Sequence, residues 1–215
     1  MKNLIKNIPI LGNLIKKLKH DLGIITNYLR IRWYVKQNDT LKIVIGASSI
    51  FENGWCPTDI ENLNLLKVKS FNSLFKNRKI DVFLAEHVWE HLTPEDASEA
   101  AENCHSYLNS GGYMRIAVPD GLHQDKNYID AVDVGGTGAG SCDHKVLYNY
   151  KTLSDVFKNA GFRVELLEYF DEENNFQSNS WDKKQGMIHR SKRYDERNKQ
   201  SPLAYTSIII DAFKD

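Results

Sequence analysis

A few positions in this 215-residue chain carry groups whose types and spacing could do chemistry. Gly46 closes a short apolar run, Leu41–Ile45. With no Cβ there, backbone can approach a ligand closely, although a plain strand-ending turn would look the same. The residues that follow are Ala47, Ser48, Ser49 and Ile50, so the G-x-G-x-x-G pattern is absent, which counts against a nicotinamide dinucleotide. Asp59 lies 13 residues after Gly46. A carboxylate there can accept hydrogen bonds from both hydroxyls of a ribose, or cap residues 60–66. The usual interval is about 20 residues, so the intervening helix must shrink to a turn. Glu86 and His87 leave a second apolar run, Ile80–Ala85, and Glu90 and His91 follow one turn later, where His91 is expected to cap or pack. Asp120 with His123, and Asp143 with His144, each place an imidazole near a carboxylate. A histidine titrating near neutrality and oriented by an acid suits removal of a proton from a hydroxyl, though a loop histidine is more often solvated. The same four residues could gather a divalent ion, but their spacing matches no particular metal geometry and no metal is expected.

The elements that must hold these groups can be read from hydrophobic period. Leu41–Ile45, Trp55–Asp59, Ile80–Ala85, Tyr113–Val118, Phe162–Tyr169 and Tyr205–Phe213 read as strands. Thr93-Pro94-Glu95-Asp96 reads as a helix start, with the helix running through Leu108 to a stop at Gly111-Gly112. Thr152 is expected to cap a helix that ends at Gly161. Residues 135–140 (GGTGAG) read as a flexible loop, and 171–201 as polar and irregular. Strands alternating with helices imply a mostly parallel α/β sheet with helices on both faces. The last two strands have no helix between them, which implies a hairpin-like pair at one edge and an antiparallel last strand.

Residues 1–38 read as helix, interrupted near Pro9 and Gly12. Leu11, Leu14, Ile15 and Leu18 share one face, with lysines opposite. This segment has eight Lys/Arg and one acid, so it carries +7, and the remainder carries −7 against a total of zero. The helices could pack on the domain, or form a basic amphipathic arm on a membrane surface. The boundary expected is a 1–38 arm followed by a 39–215 domain. Residues 183–199 carry seven Lys/Arg between the last two strands, where a basic cover would suit a phosphorylated or nucleotide-linked acceptor. Few aromatics accompany those charges, which argues against nucleic acid. Three cysteines, widely spaced, give neither a disulfide framework nor a zinc pattern, and a reducing cytoplasm is the expected setting. No apolar run reaches spanning length and no signal-peptide pattern is read.

Four motifs carry a resemblance: AEHVWEHL (Ala85–Leu92), NSGGYMRIAVPDG (Asn109–Gly121), DHKVLYNY (Asp143–Tyr150) and LEYFDE (Leu167–Glu172). Together with the order of strands, they resemble the class I S-adenosylmethionine-dependent methyltransferases over roughly residues 41–213. Within that class the chain is similar to a family of small predicted methyltransferases associated with cell-surface carbohydrate biosynthesis. The resemblance implies a Rossmann-like, doubly wound, seven-stranded sheet with S-adenosyl-L-methionine at the carboxyl ends of the central strands. It implies cofactor contacts from Gly46, Ala47, Ser48, Asp59, Glu86 and His87, the last two beside the methionine part. His144, His123 and Asp120 become the candidates to deprotonate an acceptor, through in-line methyl transfer to oxygen. The acceptor expected is small or carbohydrate-linked. The degraded glycine motif leaves one alternative of another class, a catalytically silent Rossmann-like binding module.

Overall fold

The computed structural model describes residues 8–47 and 52–215, with side chains from Gly12 onward in the first helix. Ser48 therefore lies outside the described residues. The elements in chain order are α1 (Ile8–Gln37), β1 (Lys42–Ile45), β2 (Cys56–Pro57), α2 (Val68–Phe75), β3 (Ile80–Glu86), α3 (Pro94–Tyr107) and β4 (Leu108–Pro119). There follow α4 (Lys126–Val132), α5 (Tyr150–Asn159), β5 (Arg163–Phe170), β6 (Phe176–Ser178) and β7 (Ser207–Phe213). They build a seven-stranded α/β sheet of the Rossmann-like kind, in the order β2-β1-β3-β4-β7-β5-β6. The β2–β1, β1–β3 and β3–β4 pairs are parallel, and β7 runs antiparallel to both β4 and β5.

The chain leaves β1 in one direction to reach β2, then returns across to β3 on β1's other side. This reversal makes a topological switch point at the carboxyl ends of β1 and β3, the position where open α/β sheets bind ligands. The antiparallel last strand is found as expected, but not at the edge. β7 inserts between β4 and β5, and the edge strand is instead β6, which pairs with β5 in a short hairpin and lies inside the segment read as irregular. The reason is visible in composition: Ile208, Ile209 and Ile210 are each 0% exposed, and a strand apolar on both faces belongs in the sheet's interior.

Alternation along the strands divides the core. Ile43, Ile45, Phe83, Ala85, Met114, Ile116, Ile208 and Ile210 face one side, where α2, α3, α5 and the end of α1 cover them with Phe71, Leu74, Ala97, Ala101, Leu153, Phe157, Ile31 and Val35. Val44, Val82, Leu84, Ala117 and Ile209 face the other side with Trp55, Ile188 and Trp181. Helical cover is thus found on the first face, while on the second the irregular 181–190 segment takes that place. It is pinned there by a buried ion pair. Arg115 on β4 and Asp211 on β7 are register partners, joined through Nε–Oδ1 at 2.8 Å and Nη2–Oδ2 at 2.7 Å. The same guanidinium donates to the carbonyls of Asp182 (3.0 Å) and Gly186 (2.8 Å) and lies over the Trp181 ring.

Several local expectations shift. α1 is one helix from Ile8 to Gln37, not broken at Gly12. Pro9 falls in its first turn, where a missing N–H is not needed. The Thr93 cap forms, accepting from Asp96 N, but α3 ends at Tyr107, because Leu108–Gly112 already joins β4. Asn149, not Thr152, caps α5, with Thr152 completing a reciprocal capping box from the third position. The 135–140 loop is hydrogen-bonded onto α4 through Thr137 N to Asp130 O and Gly138 N to Ala131 O. A Cβ on Gly138 would stand 2.6 Å from Ala131 O, so close backbone approach requires that glycine.

Candidate functional site

A cavity of about 490 Å³ opens at the switch point. That is within the size range of small-molecule sites, roughly 300–1,000 Å³. Three sets of residues line it. Val44, Ile45, Gly46 and Ala47 come from the end of β1, and Leu84, Glu86, His87, Glu90 and His91 from β3 and the turn after it. Gly138, Ser141, His144, Met187, His189, Arg190, Arg197 and Tyr205 come from the loops above.

Gly46 has φ +61°, and a Cβ there would meet Val88 Cγ2 at 2.7 Å. Both facts demand glycine: the left-handed backbone and the contact that lets β1's end press against the start of the next turn. His87 is itself at φ +58°, a conformation that costs a non-glycine residue energy and is over-determined by its neighbours. Its Nε2 lies 3.1 Å from Ser207 Oγ, and Ser207 donates its proton to Arg190 O at 2.7 Å. His87 Nε2 must therefore be the donor in that pair.

Glu86 does not present a free carboxylate. It accepts the backbone N–H groups of His189 (3.0 Å) and Arg190 (2.8 Å), and lies 3.4 Å from His189 Nδ1. Burial pushes the Glu86 carboxyl up, but the His189 and Arg190 hydrogen bonds and the His87 charge outweigh it and hold it below the ordinary range. His189 is raised in turn, first by its hydrogen bond to Glu86, against burial, with Glu52 adding to the effect. Glu86 is thus a clasp that holds the basic 183–199 segment over the cavity, which is where the sequence placed a basic cover. Arg190 and Arg197 bring the positive charge, Arg197 while paired to Asp195 at 2.6 Å.

The remaining expected residues separate. Asp59 lies just beyond β2 beside Ala47, whose N–H donates to Thr58 O at 3.0 Å. It does not line the cavity, and its Oδ1 accepts from the adjacent Ile60 N at 2.8 Å; residues 60–66 form turns and not a helix, so Asp59 caps none. Asp120 is 0% exposed and braces two turns by accepting from Leu122 N (2.9 Å) and Phe170 N (2.7 Å). Burial raises its carboxyl to about 6, against those two hydrogen bonds. His123 stacks on Tyr128 at 3.9 Å between ring centroids. Its Nε2 meets Leu203 O at 3.0 Å and its Nδ1 accepts from Asp125 N at 3.1 Å. Both ring nitrogens are spent, and burial lowers its pKa. Neither Asp120 nor His123 is brought to the cavity. His144 is, with its Nδ1 2.7 Å from Val132 O, so Nδ1 donates and Nε2 keeps the lone pair. Around it stand His91, expected from the sequence to cap or pack, and Glu90, to which the sequence assigns no role. Their only signal was the H-x-x-E-H spacing of His87, Glu90 and His91, which places them on one short turn, Trp89–His91.

No protein-family model matches the chain, and no curated protein sequence matches it. Among solved structures it is similar to an S-adenosylmethionine-dependent methyltransferase from Archaeoglobus fulgidus, at 16% identity and TM-score 0.45, over 88% of this chain and 92% of that one. It is also similar to a possible histamine N-methyltransferase from Thermotoga maritima, at 14% identity and TM-score 0.47, over 96% and 98%. A third is a putative methyltransferase of Haloferax volcanii in complex with the Trm112 activator, at 9% identity and TM-score 0.47, over 91% and 94%.

Proposed function

We propose that this chain transfers a methyl group from S-adenosyl-L-methionine to an oxygen of a small, carbohydrate-linked acceptor that bears a phosphate or another anionic group. One observation carries the reading: Gly46, Ala47, Glu86, His87 and His144, drawn from separate motifs, line a single cavity at the sheet's switch point. The cofactor would supply an electrophilic methyl group on a sulfonium. This chain's residues would do the rest. The Gly46 turn would let backbone approach the cofactor, and Asp59, just beyond β2, would take the ribose hydroxyls. Glu86 acts by holding the cover that excludes water. Arg190 and Arg197 face the cavity with positive charge for an anionic acceptor. The acceptor's proton leaves at the wall formed by Glu90, His91 and His144, since His144 is the one expected base that lines the cavity.

The experiment is turnover of labelled cofactor against a panel of free and phosphorylated sugars, with His144→Ala as control. Labelled product from any of them, lost in the variant, supports the reading. Cofactor binding with no turnover on any acceptor would favour a silent module. A membrane-surface role for the outer face of α1 is favoured by the helix itself, although Ile31 and Val35 tie its C-terminal end into the domain core. Leu14, Leu18, Leu22, Ile25, Leu29 and Trp33 are all more than half exposed beside Lys16, Lys17 and Lys19. Among the described residues no helix is long and apolar enough to cross a membrane.

A further inference from the structure

The cavity wall formed by the turn after β3 holds a polar cluster whose valences do not close. Glu90 is 1% exposed, and neither carboxylate oxygen has a hydrogen-bond partner among the described residues. A buried ionised carboxylate left unpaired costs several kcal/mol or more, so something must answer it. His87 Nδ1 approaches Glu90 Oε1 at 3.2 Å, within ion-pair range but not aligned as a hydrogen bond. Because His87 Nε2 is the donor to Ser207, a neutral His87 turns a bare Nδ1 lone pair toward that oxygen. An imidazolium at His87 would answer Oε1 alone and leave Oε2 bare.

The phenols of Tyr128, Tyr148 and Tyr205 stand near enough to feel the Glu90 charge, yet none hydrogen-bonds to it, and the nearest groups that could share a ligand with it are two imidazoles. One donor atom from each of Glu90, His91 and His144 lies within 4.8 Å of the others, and the two rings stand 4.8 Å apart, nearly perpendicular. Each histidine has Nδ1 committed elsewhere. His144 Nδ1 donates to Val132 O at 2.7 Å, and His91 Nδ1 lies 3.5 Å from Asp143 Oδ2. His144 Nε2 is thereby left as a lone pair, and so is His91 Nε2 when the Nδ1 proton of His91 faces Asp143. A backbone carbonyl behind one imidazole and a carboxylate behind the other is the outer-shell arrangement that fixes metal-ligating histidines. The backbone beneath is held as well: Glu90 O accepts from Lys145 N at 2.7 Å, tying the Trp89–His91 turn to the His144 loop.

We propose that Glu90, His91 and His144 bind a divalent transition ion of the zinc class in the cavity wall. Two imidazoles and one carboxylate are a borderline-soft donor set, with a fourth position open to the cavity, as in catalytic zinc sites. Zinc–ligand distances of about 2.0–2.2 Å put tetrahedral donors roughly 3.4 Å apart, so binding draws the three side chains inward by about an ångström. A metal in this place would lower the pKa of a water or hydroxyl bound to it; His144 Nε2 would then be a ligand and not the base, and the proton would leave to solvent. Deprotonation of an acceptor hydroxyl by that route rests on the methyl-transfer reading. Metal binding itself does not.

The test is therefore run without cofactor or acceptor. Metal-stripped full-length protein is titrated with ZnCl₂ by calorimetry and with CoCl₂ by visible absorption, and thermal midpoints are recorded with and without Zn²⁺. The expected result is one ion per chain at micromolar affinity or tighter, a Co²⁺ absorption band, and a raised midpoint. Glu90→Gln, His91→Ala and His144→Ala should each weaken binding at least about tenfold, and His20→Ala should not. Where a buried variant fails to fold, His91→Ala, at a half-exposed position, and the wild-type midpoint shift still decide. No stoichiometric binding by folded wild type overturns the proposal, as does binding that all three variants retain. Either result leaves methyl transfer to be judged by its own assay.

Discussion

Gly46→Ala is the substitution whose cost the structure defines best. Two separate penalties meet there. Alanine at φ +61° sits in the left-handed region, at about 1–2 kcal/mol. Its methyl would also stand 2.7 Å from Val88 Cγ2, and Val88, half-buried against the helical core, must leave its rotamer at about 0.5–1.5 kcal/mol. The expected destabilisation is about 1.5–3.5 kcal/mol, read as a shift in urea midpoint at constant slope. The two parts separate in a double-mutant cycle with Val88→Ala. Truncating Val88 removes the clash but not the backbone strain. The double variant should be more stable than the sum of the singles predicts, by about 0.5–1.5 kcal/mol, well outside the additivity expected of independent sites. The same methyl fills the space where backbone is to meet the cofactor. Affinity for S-adenosylhomocysteine should fall at least tenfold, or about 1.4 kcal/mol, in both the single and the double variant. A neutral Gly46→Ala, or a strictly additive cycle, would refute the close approach at the end of β1.

Other consequences can be checked separately. Arg115→Ala leaves Asp211 buried and unpaired and frees the carbonyls of Asp182 and Gly186, so unfolding free energy should fall by about 3–5 kcal/mol in urea titrations. The Glu86–His189 clasp should depend on pH. His189 is raised, so its contribution is full below about 6.5 and is lost as pH rises through its folded value; Glu86 is lowered, so its contribution is full above about 4.5 and is lost on acidification. The amides of His189 and Arg190, corrected for intrinsic rate, should be best protected from hydrogen exchange between those limits and less protected at pH 8. His189→Gln should remove the alkaline limb, and an unchanged profile would dismiss the clasp. Leu18→Glu with Leu22→Glu, both at exposed positions, should leave the melting midpoint within a few degrees and abolish co-sedimentation with anionic liposomes. Wild type that fails to co-sediment would return α1 to a purely structural role.

The parts of the fold with strong local signals were legible in the sequence. β-branched runs ending at Gly46 and Glu86 gave the two strands that flank the switch point, and Thr93-Pro94 gave the start of α3. What the period could not show was order in space. β7's place between β4 and β5 is set by long-range pairing, and three consecutive isoleucines say only that both faces are buried. The candidate site was legible to the same extent. Gly46, Ala47, Glu86, His87 and His144 stand where strand ends and loops were expected to put them. Asp120 and His123 looked equally suitable as a pair, but burial turned one into a brace for backbone amides and stacked the other on Tyr128. Nothing in their local sequence distinguishes those fates. Glu86's engagement by residues 189 and 190 joins points more than 100 positions apart, so only the folded chain reveals it. Glu90 was passed over because a carboxylate on a short turn is ordinary until its burial and lack of partners are known.

Calorimetric titration of the folded full-length chain with S-adenosylhomocysteine, alongside Asp59→Ala and Gly46→Ala, tests the central claim most directly. The account predicts one site of micromolar affinity, weakened about tenfold or more by either substitution. Folded wild type that takes up no S-adenosylhomocysteine would contradict it, and the cavity at the switch point would then belong to a different ligand.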